Sequence, residues 1–119
     1  MSFKEELEAI CRQVPGSRAA MVMSMDGIVV MKSASGAEVD IESLGVEIVG
    51  PLKLAAQAVQ NTSMGDLATL ELETQTGTLL VRQLLDEYFV ALLLGPGALV
   101  GKGRYVLRVH GQALKDELS

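Results

Sequence analysis

Few residues of this chain have the chemistry of an active site, and the most suggestive fall in one run, Gly95-Pro96-Gly97-Ala98-Leu99-Val100-Gly101-Lys102-Gly103. A phosphate-cradling loop reads G-x-x-x-x-G-K-[ST]: backbone N–H groups wrap the phosphates, the lysine reaches them and the hydroxyl holds Mg²⁺. Here the first glycine of the pattern falls on Pro96, which has no N–H to donate. Gly103 stands where the hydroxyl is needed, and the preceding strand is expected to be antiparallel. Nucleotide binding at this loop is rejected. One cysteine, Cys11, and one histidine, His110, cannot supply a metal cluster. A Cys–His dyad would need Cys11 to leave the apolar stripe of the first helix, where it is expected as a small buried residue with nothing nearby to lower its pKa. His110 borders the apolar side of the last helix and is expected to be a partly buried structural residue, not a base. The acid pairs Glu5-Glu6 and Asp116-Glu117 look like solvated helix faces. No catalytic residue, cofactor or metal follows from these residues, so an enzyme is not expected.

The bulk properties narrow the class further. With 119 residues the chain is read as one domain, 1–119, long enough to bury about two-thirds of its unfolded surface. Only 3% of it is aromatic against 49% hydrophobic, so the core is expected to be aliphatic, with six methionines to fill gaps. No apolar run reaches the roughly 18 residues of a membrane span, and the N-terminus does not resemble a signal peptide. A single cysteine fits a reducing cytoplasm. A net charge of −5 argues against nucleic acid as partner, since neutralising phosphates takes basic surface.

These side chains must be positioned by regular elements, and the patterning supplies them. Ser2-Phe3-Lys4-Glu5 reads as a capping box, opening a helix that carries Phe3, Leu7, Ile10, Cys11 and Val14 on one stripe and stops at Pro15-Gly16. From about Arg18 to Lys32, two apolar runs flank Asp26-Gly27, the signature of a two-residue type I′ hairpin. Runs so apolar predict a hairpin near the middle of a sheet covered on both faces. Its turn is expected to be a folding determinant and not a binding site. Ser33–Asp40 reads as a loop. Ile41 to Ser63 reads as a long helix, with Ile41, Ile48, Leu52, Ala55 and Val59 in one line and Leu44, Val49, Ala56 and Ala58 beside it. Val46 and Leu54 fall outside that arc, among Glu47, Gly50, Lys53, Gln57 and Asn61. Pro51 is expected to kink this helix.

Leu67–Thr74 then alternates, with Ala68, Leu70 and Leu72 on one face and Thr69, Glu71 and Glu73 on the other. A two-residue Thr76-Gly77 turn would set Arg82 opposite Glu71, and is preferred to a three-residue turn that would set it opposite Leu70. Strands at Thr78–Leu85 and Tyr88–Leu94 follow, and then a helix over Leu99–Leu118. Gly103 and Gly111 on its apolar side imply close packing against a neighbour, since each costs about 1 kcal/mol of helix propensity. The result is an α+β fold in the order α-β-β-α-β-β-β-α, a five-stranded antiparallel sheet sandwiched between helices.

Three strings in this order carry a resemblance: Ser24-Met25-Asp26-Gly27-Ile28-Val29, Gly77-Thr78-Leu79-Leu80-Val81, and Leu99-Val100-Gly101-Lys102-Gly103-Arg104-Tyr105-Val106-Leu107-Arg108. The chain resembles Roadblock/LC7 domains over essentially its whole length, and their bacterial, MglB-like members in particular. Gly50-Pro51 inside the long helix departs from the family's pattern. The resemblance implies a dimeric, non-catalytic platform that binds Ras-like small GTPases, and whose MglB-type members stimulate GTP hydrolysis without an arginine finger. It also implies that strand 67–74 pairs with its twin while the long helices pack side by side, so Leu44, Ile48, Leu67, Thr69, Glu71 and Glu73 are expected at a homodimer seam. The partner face is expected on Val46, Gly50, Leu54, Gln57 and Asn61, because Val46 and Leu54 are apolar on an otherwise polar side. A small-molecule sensor of PAS or GAF type is the rival, and a chain this poor in aromatics and placed polar groups counts against it. A residual NTPase is the third possibility.

Overall fold

The computed structural model describes residues 2–34 and 40–119. Helix α1 spans Phe3–Gln13 and opens with the expected capping box. Ser2 Oγ accepts the Glu5 N–H at 3.2 Å, and the Glu5 carboxylate accepts the Ser2 N–H at 3.2 Å. That backbone bond, and then the Ser2 hydroxyl, hold the Glu5 carboxyl below its usual range.

Strands β1 (Ser17–Ser24) and β2 (Val29–Ala34) form the hairpin, but not through a type I′ turn. The Ser24 carbonyl accepts the Gly27 N–H at 3.0 Å, and the Ser24 N–H donates to the Ile28 carbonyl at 2.9 Å. Gly27 has φ +84°, whereas Asp26 does not have positive φ. Met25-Asp26-Gly27 is therefore a three-residue loop ending on a left-handed glycine. Its cause is Ser24, whose hydroxyl accepts the N–H groups of Asp26 at 3.3 Å and Ile28 at 3.1 Å, a local alternative to the tighter turn. Of the expected loop at Ser33–Asp40, Ser33 and Ala34 belong to β2, and residues 35–39 lie outside the described residues.

Helix α2 runs unbroken over Ile41–Asn61 with Pro51 inside it. Asp40 caps it, accepting the Ser43 N–H at 3.0 Å, and this bond lowers the Asp40 pKa. Ile41, Ile48 and Leu52 are buried as the spacing predicts. Gly45 is buried with them, because a Cβ there would run into Met21 Cε and lie 3.0 Å from Met23 Sδ. This glycine brings α2 down onto β1, a role that the apolar pattern alone does not reveal.

Strands β3 (Thr69–Thr74), β4 (Gly77–Gln83) and β5 (Tyr88–Leu94) complete an antiparallel sheet of order β2-β1-β5-β4-β3. Only β1 of the hairpin is interior; β2 is an edge, which corrects the expectation for the hairpin as a whole. In the β3–β4 ladder Thr74 pairs with Gly77 and Thr69 with Arg82, so Arg82 does not face Glu71. The turn residues are Gln75 and Thr76. Thr74 Oγ1 accepts the Thr76 N–H at 3.3 Å and donates to the Gly77 carbonyl at 3.1 Å, which shifts the register by two residues from the expected one. The charge pairing that favoured the other register is met from elsewhere: Arg104 Nε lies 2.6 Å from Glu71 Oε2.

Helix α3 (Val100–Leu118) starts one residue later than expected and buries Gly103, Val106, Leu107, Gly111 and Leu114. A Cβ on Gly103 would sit 2.8 Å from Leu80 Cδ1 and 3.2 Å from Leu94 Cδ1, the close approach that its glycines imply. Helices α1 and α3 cover one face of the sheet over Val22, Leu80, Val90 and Leu92. Helix α2 covers the other over Met21, Met23, Val81 and Phe89. The two helices on the first face are also joined by a polar side-chain contact. Glu6, expected in solvent, is buried, and its Oε2 lies 2.6 Å from His110 Nδ1, with side chains 6% and 14% exposed. His110 is thus the structural residue expected, held on its other nitrogen by Gln13 Oε1 at 3.4 Å.

Candidate partner-binding site

The outer face of α2 brings the predicted partner residues together. Val46, Gly50, Leu54, Gln57 and Asn61 are all exposed, at spacings of three and four residues that keep them on one stripe. Leu54 is 69% and Val46 51% exposed, so Pro51 has not turned Leu54 inward. A Cβ on Gly50 would meet nothing within 4 Å, leaving a bare patch of helix backbone between the two apolar side chains. Acidic residues rim one end, where Asp40, Glu42 and Glu47 line a shallow groove with Ser43 and Val46.

The stripe has a member that sequence reasoning missed. A Cβ on Gly27 would lie 3.8 Å from Val46 Cγ2, so the tip of the β1–β2 hairpin rests beside the α2 stripe. The next residue, Ile28, is 66% exposed. In sequence Ile28 merges with the apolar run of its strand, and only the fold separates it from the core. The hairpin turn is thus next to the site as well as part of the scaffold.

The six residues expected at a dimer seam divide. Ile48 is buried between α2 and the sheet and has no surface to offer. Leu44 and Leu67 are half-buried at the border of the same core. Thr69, Glu71 and Glu73 lie on the edge strand β3, on the α3 side of the sheet, where Thr69 accepts from Arg82 and Glu71 pairs with Arg104. The apolar side of that edge is Leu70 and Leu72, which face α2, and Leu72 is exposed. These two were legible as the apolar half of an alternating strand, though not that Leu72 would be left uncovered.

The other chemical candidates resolve as packing. Cys11 is half-buried, and desolvation pushes its thiol pKa up, away from a nucleophile. His110 is engaged by Glu6. Gly103 of the glycine-rich run is taken up by the contact with Leu80. Among the described residues no group of three or more His, Cys, Asp or Glu side chains could hold a metal ion, and no helix is long and apolar enough to cross a membrane.

No family model matches the sequence, and no curated protein matches it. Solved structures do. The chain is 31% identical to MglC from Myxococcus xanthus over 98% of this chain and 99% of that one, with a TM-score of 0.73. A Roadblock/LC7 domain from Streptomyces avermitilis matches at 18% identity over 99% and 98% of the two chains, TM-score 0.86. The gliding protein MglB from Thermus thermophilus matches at 16% identity over 96% and 86%, TM-score 0.84. Near-complete coverage of both chains, the α-β-β-α-β-β-β-α order and the five-stranded antiparallel sheet agree with the three sequence strings, and the chain belongs to the Roadblock/LC7 domain family.

Proposed function

We propose that this protein is a non-catalytic, cytoplasmic homodimeric platform that binds and regulates a Ras-like small GTPase on the outer face of α2. One observation carries the reading: two aliphatic side chains, Val46 and Leu54, stand exposed on that face, and Ile28, also exposed, follows the Gly27 that adjoins Val46. Burying each against a partner is worth about 1.5–3 kcal/mol, the scale of an interface hot spot. The class of partner is the one that the family resemblance implies. The rival of a sheet-bound small molecule gains nothing from the sheet face under α2, which is filled by Ile48, Leu52 and Phe89.

The dimer is proposed through β3, an edge strand with no proline or lysine to blunt it. Leu44, Leu67 and Leu72 lie on the α2 side of its seam, and Thr69, Glu71 and Glu73 on the other. The like charges that would meet there are offset by Arg104. An MglB is known in a tetrameric arrangement, which favours assembly by relatives of this fold. Sedimentation equilibrium is expected to give a dimer at about 20 μM, a concentration well above the Kd expected of a standard-sized interface; a monomer there rules the dimer out.

Leu54→Arg separates the two surfaces. The variant is expected to remain dimeric and to bind a cognate GTPase, loaded with a GTP analogue, at least about tenfold more weakly, a loss of some 1.4 kcal/mol. Unchanged affinity removes Leu54 from the partner face, and a monomeric variant assigns it to the seam. GTP turnover measured with the parent protein reads out whether docking also speeds hydrolysis.

A further inference from the structure

On the face of the sheet away from the α2 stripe, an open groove of about 330 Å³ lies between the first turns of α3 and the β3–β4 edge. Its walls are Thr69, Arg82, Gly101, Arg104, Tyr105 and Arg108. Three guanidiniums thus meet in one place on a chain whose net charge is −5. Each is held by a neighbour. Arg82 Nη1 donates to Thr69 Oγ1 at 3.4 Å, Arg104 pairs with Glu71, and the Arg108 guanidinium lies 5.6 Å from the centre of the Tyr105 ring. With Glu71 neutralising Arg104, the groove retains the charge of two arginines. Tyr105 and Val109 stand exposed on the same stretch of α3, at 55% and 52%.

The geometry points to a second docking surface on this groove, one that takes an acidic segment of a partner protein carrying an apolar residue among its carboxylates. Guanidinium forks match carboxylates in bidentate geometry. Fixing them beforehand lowers the entropy lost on binding. Arginine and tyrosine beside an exposed aliphatic residue are also the side-chain types that dominate interface energetics. A free small anion fits less well, because it would leave Tyr105 and Val109 in water and would itself stay hydrated in so open a groove. Long polyanions and anionic membranes meet the acidic remainder of the surface, whereas screening confines attraction to about 8 Å in physiological salt, the reach of a short segment. This surface is independent of the α2 stripe, since the two lie on opposite faces of the sheet. A platform with both faces occupied would hold two different proteins together.

The probe is a fluorescein-labelled peptide rich in Glu with a central Phe-Leu pair, titrated by anisotropy against the full chain. Saturable binding is expected, weakening at least about tenfold between 0.05 M and 0.5 M salt, as charge-steered contacts do. Arg108→Glu touches only the exposed rim and is expected to bind at least about tenfold more weakly with unchanged melting. Arg104→Glu is expected to weaken the peptide likewise while also losing the pair with Glu71, and Leu54→Arg to leave the peptide affinity unaltered. A peptide with Gln for every Glu should not bind. The proposal is overturned if the parent protein shows no saturable binding, or if Arg108→Glu binds the peptide as well as the parent does. It is equally overturned if phosphatidylserine vesicles or inorganic phosphate, and not the peptide, engage these arginines.

Discussion

His110→Leu is expected to destabilise the fold by about 3 kcal/mol, because it strands a buried carboxylate without its partner. The Glu6 side chain is 6% exposed, and His110 Nδ1 lies 2.6 Å from its Oε2. The pair ties α1 to α3 on the face of the sheet opposite α2. Taking a charged group out of water is costly, and that cost is offset only while the partner remains. For a domain of this size the loss corresponds to a fall in Tm of about 12 °C, at roughly 4 °C per kcal/mol. The double variant Glu6→Leu/His110→Leu removes both the charge and its partner, and should recover most of the loss. Urea titrations of the parent, both single variants and the double variant give the coupling directly. A His110→Leu midpoint matching the parent would mean that Glu6 is satisfied without the imidazole.

The second large effect is a reversal of sign between two identical substitutions. Gly77→Ala is expected to cost about 2 kcal/mol, and Gly50→Ala to gain about 0.5–1 kcal/mol. Gly77 opens β4 against the end of β5, where a Cβ would collide with the carbonyl oxygen of Leu94 and lie 3.6 Å from Gly95 Cα. Both obstacles are backbone, so relief requires opening the ladder rather than rotating a side chain. Gly50 faces open space on α2, so alanine there adds helix propensity and meets nothing. Thermal melts of the two variants should move in opposite directions by about 8 °C down and 2–4 °C up. A Gly77→Ala protein that melts like the parent would show that the β4–β5 ladder opens at little cost. If Gly50→Ala is more stable but binds the GTPase less well, the bare backbone between Val46 and Leu54 serves close approach of the partner.

The helices and strands follow from the order of residues alone, because their signals are local. The capping box at Ser2 and Glu5 and the apolar line Ile41–Ile48–Leu52 each depend on residues a turn or two apart. The strand at Tyr88–Leu94 is as plain, since an unbroken apolar run of that length has to be buried on both faces. The same reasoning leaves Val46 and Leu54 outside the buried arc of their helix, so the exposed stripe on α2 is legible from periodicity. The structure was needed to show which of several local alternatives of similar energy is adopted. Hydroxyls set two of the three hairpin turns: Ser24 holds a three-residue loop, and Thr74 sets the register that takes Arg82 away from Glu71. The polar partners Arg104 of Glu71 and His110 of Glu6 come from 33 and 104 residues away, beyond the reach of any periodicity. Gly45 reads as a gap in a helix until β1 arrives beneath it. Ile28 reads as core until the hairpin tip is set beside Val46. Burial and charge pairing are properties of what packs against a residue, and a chain that is local in its patterning states them only once its distant parts have met.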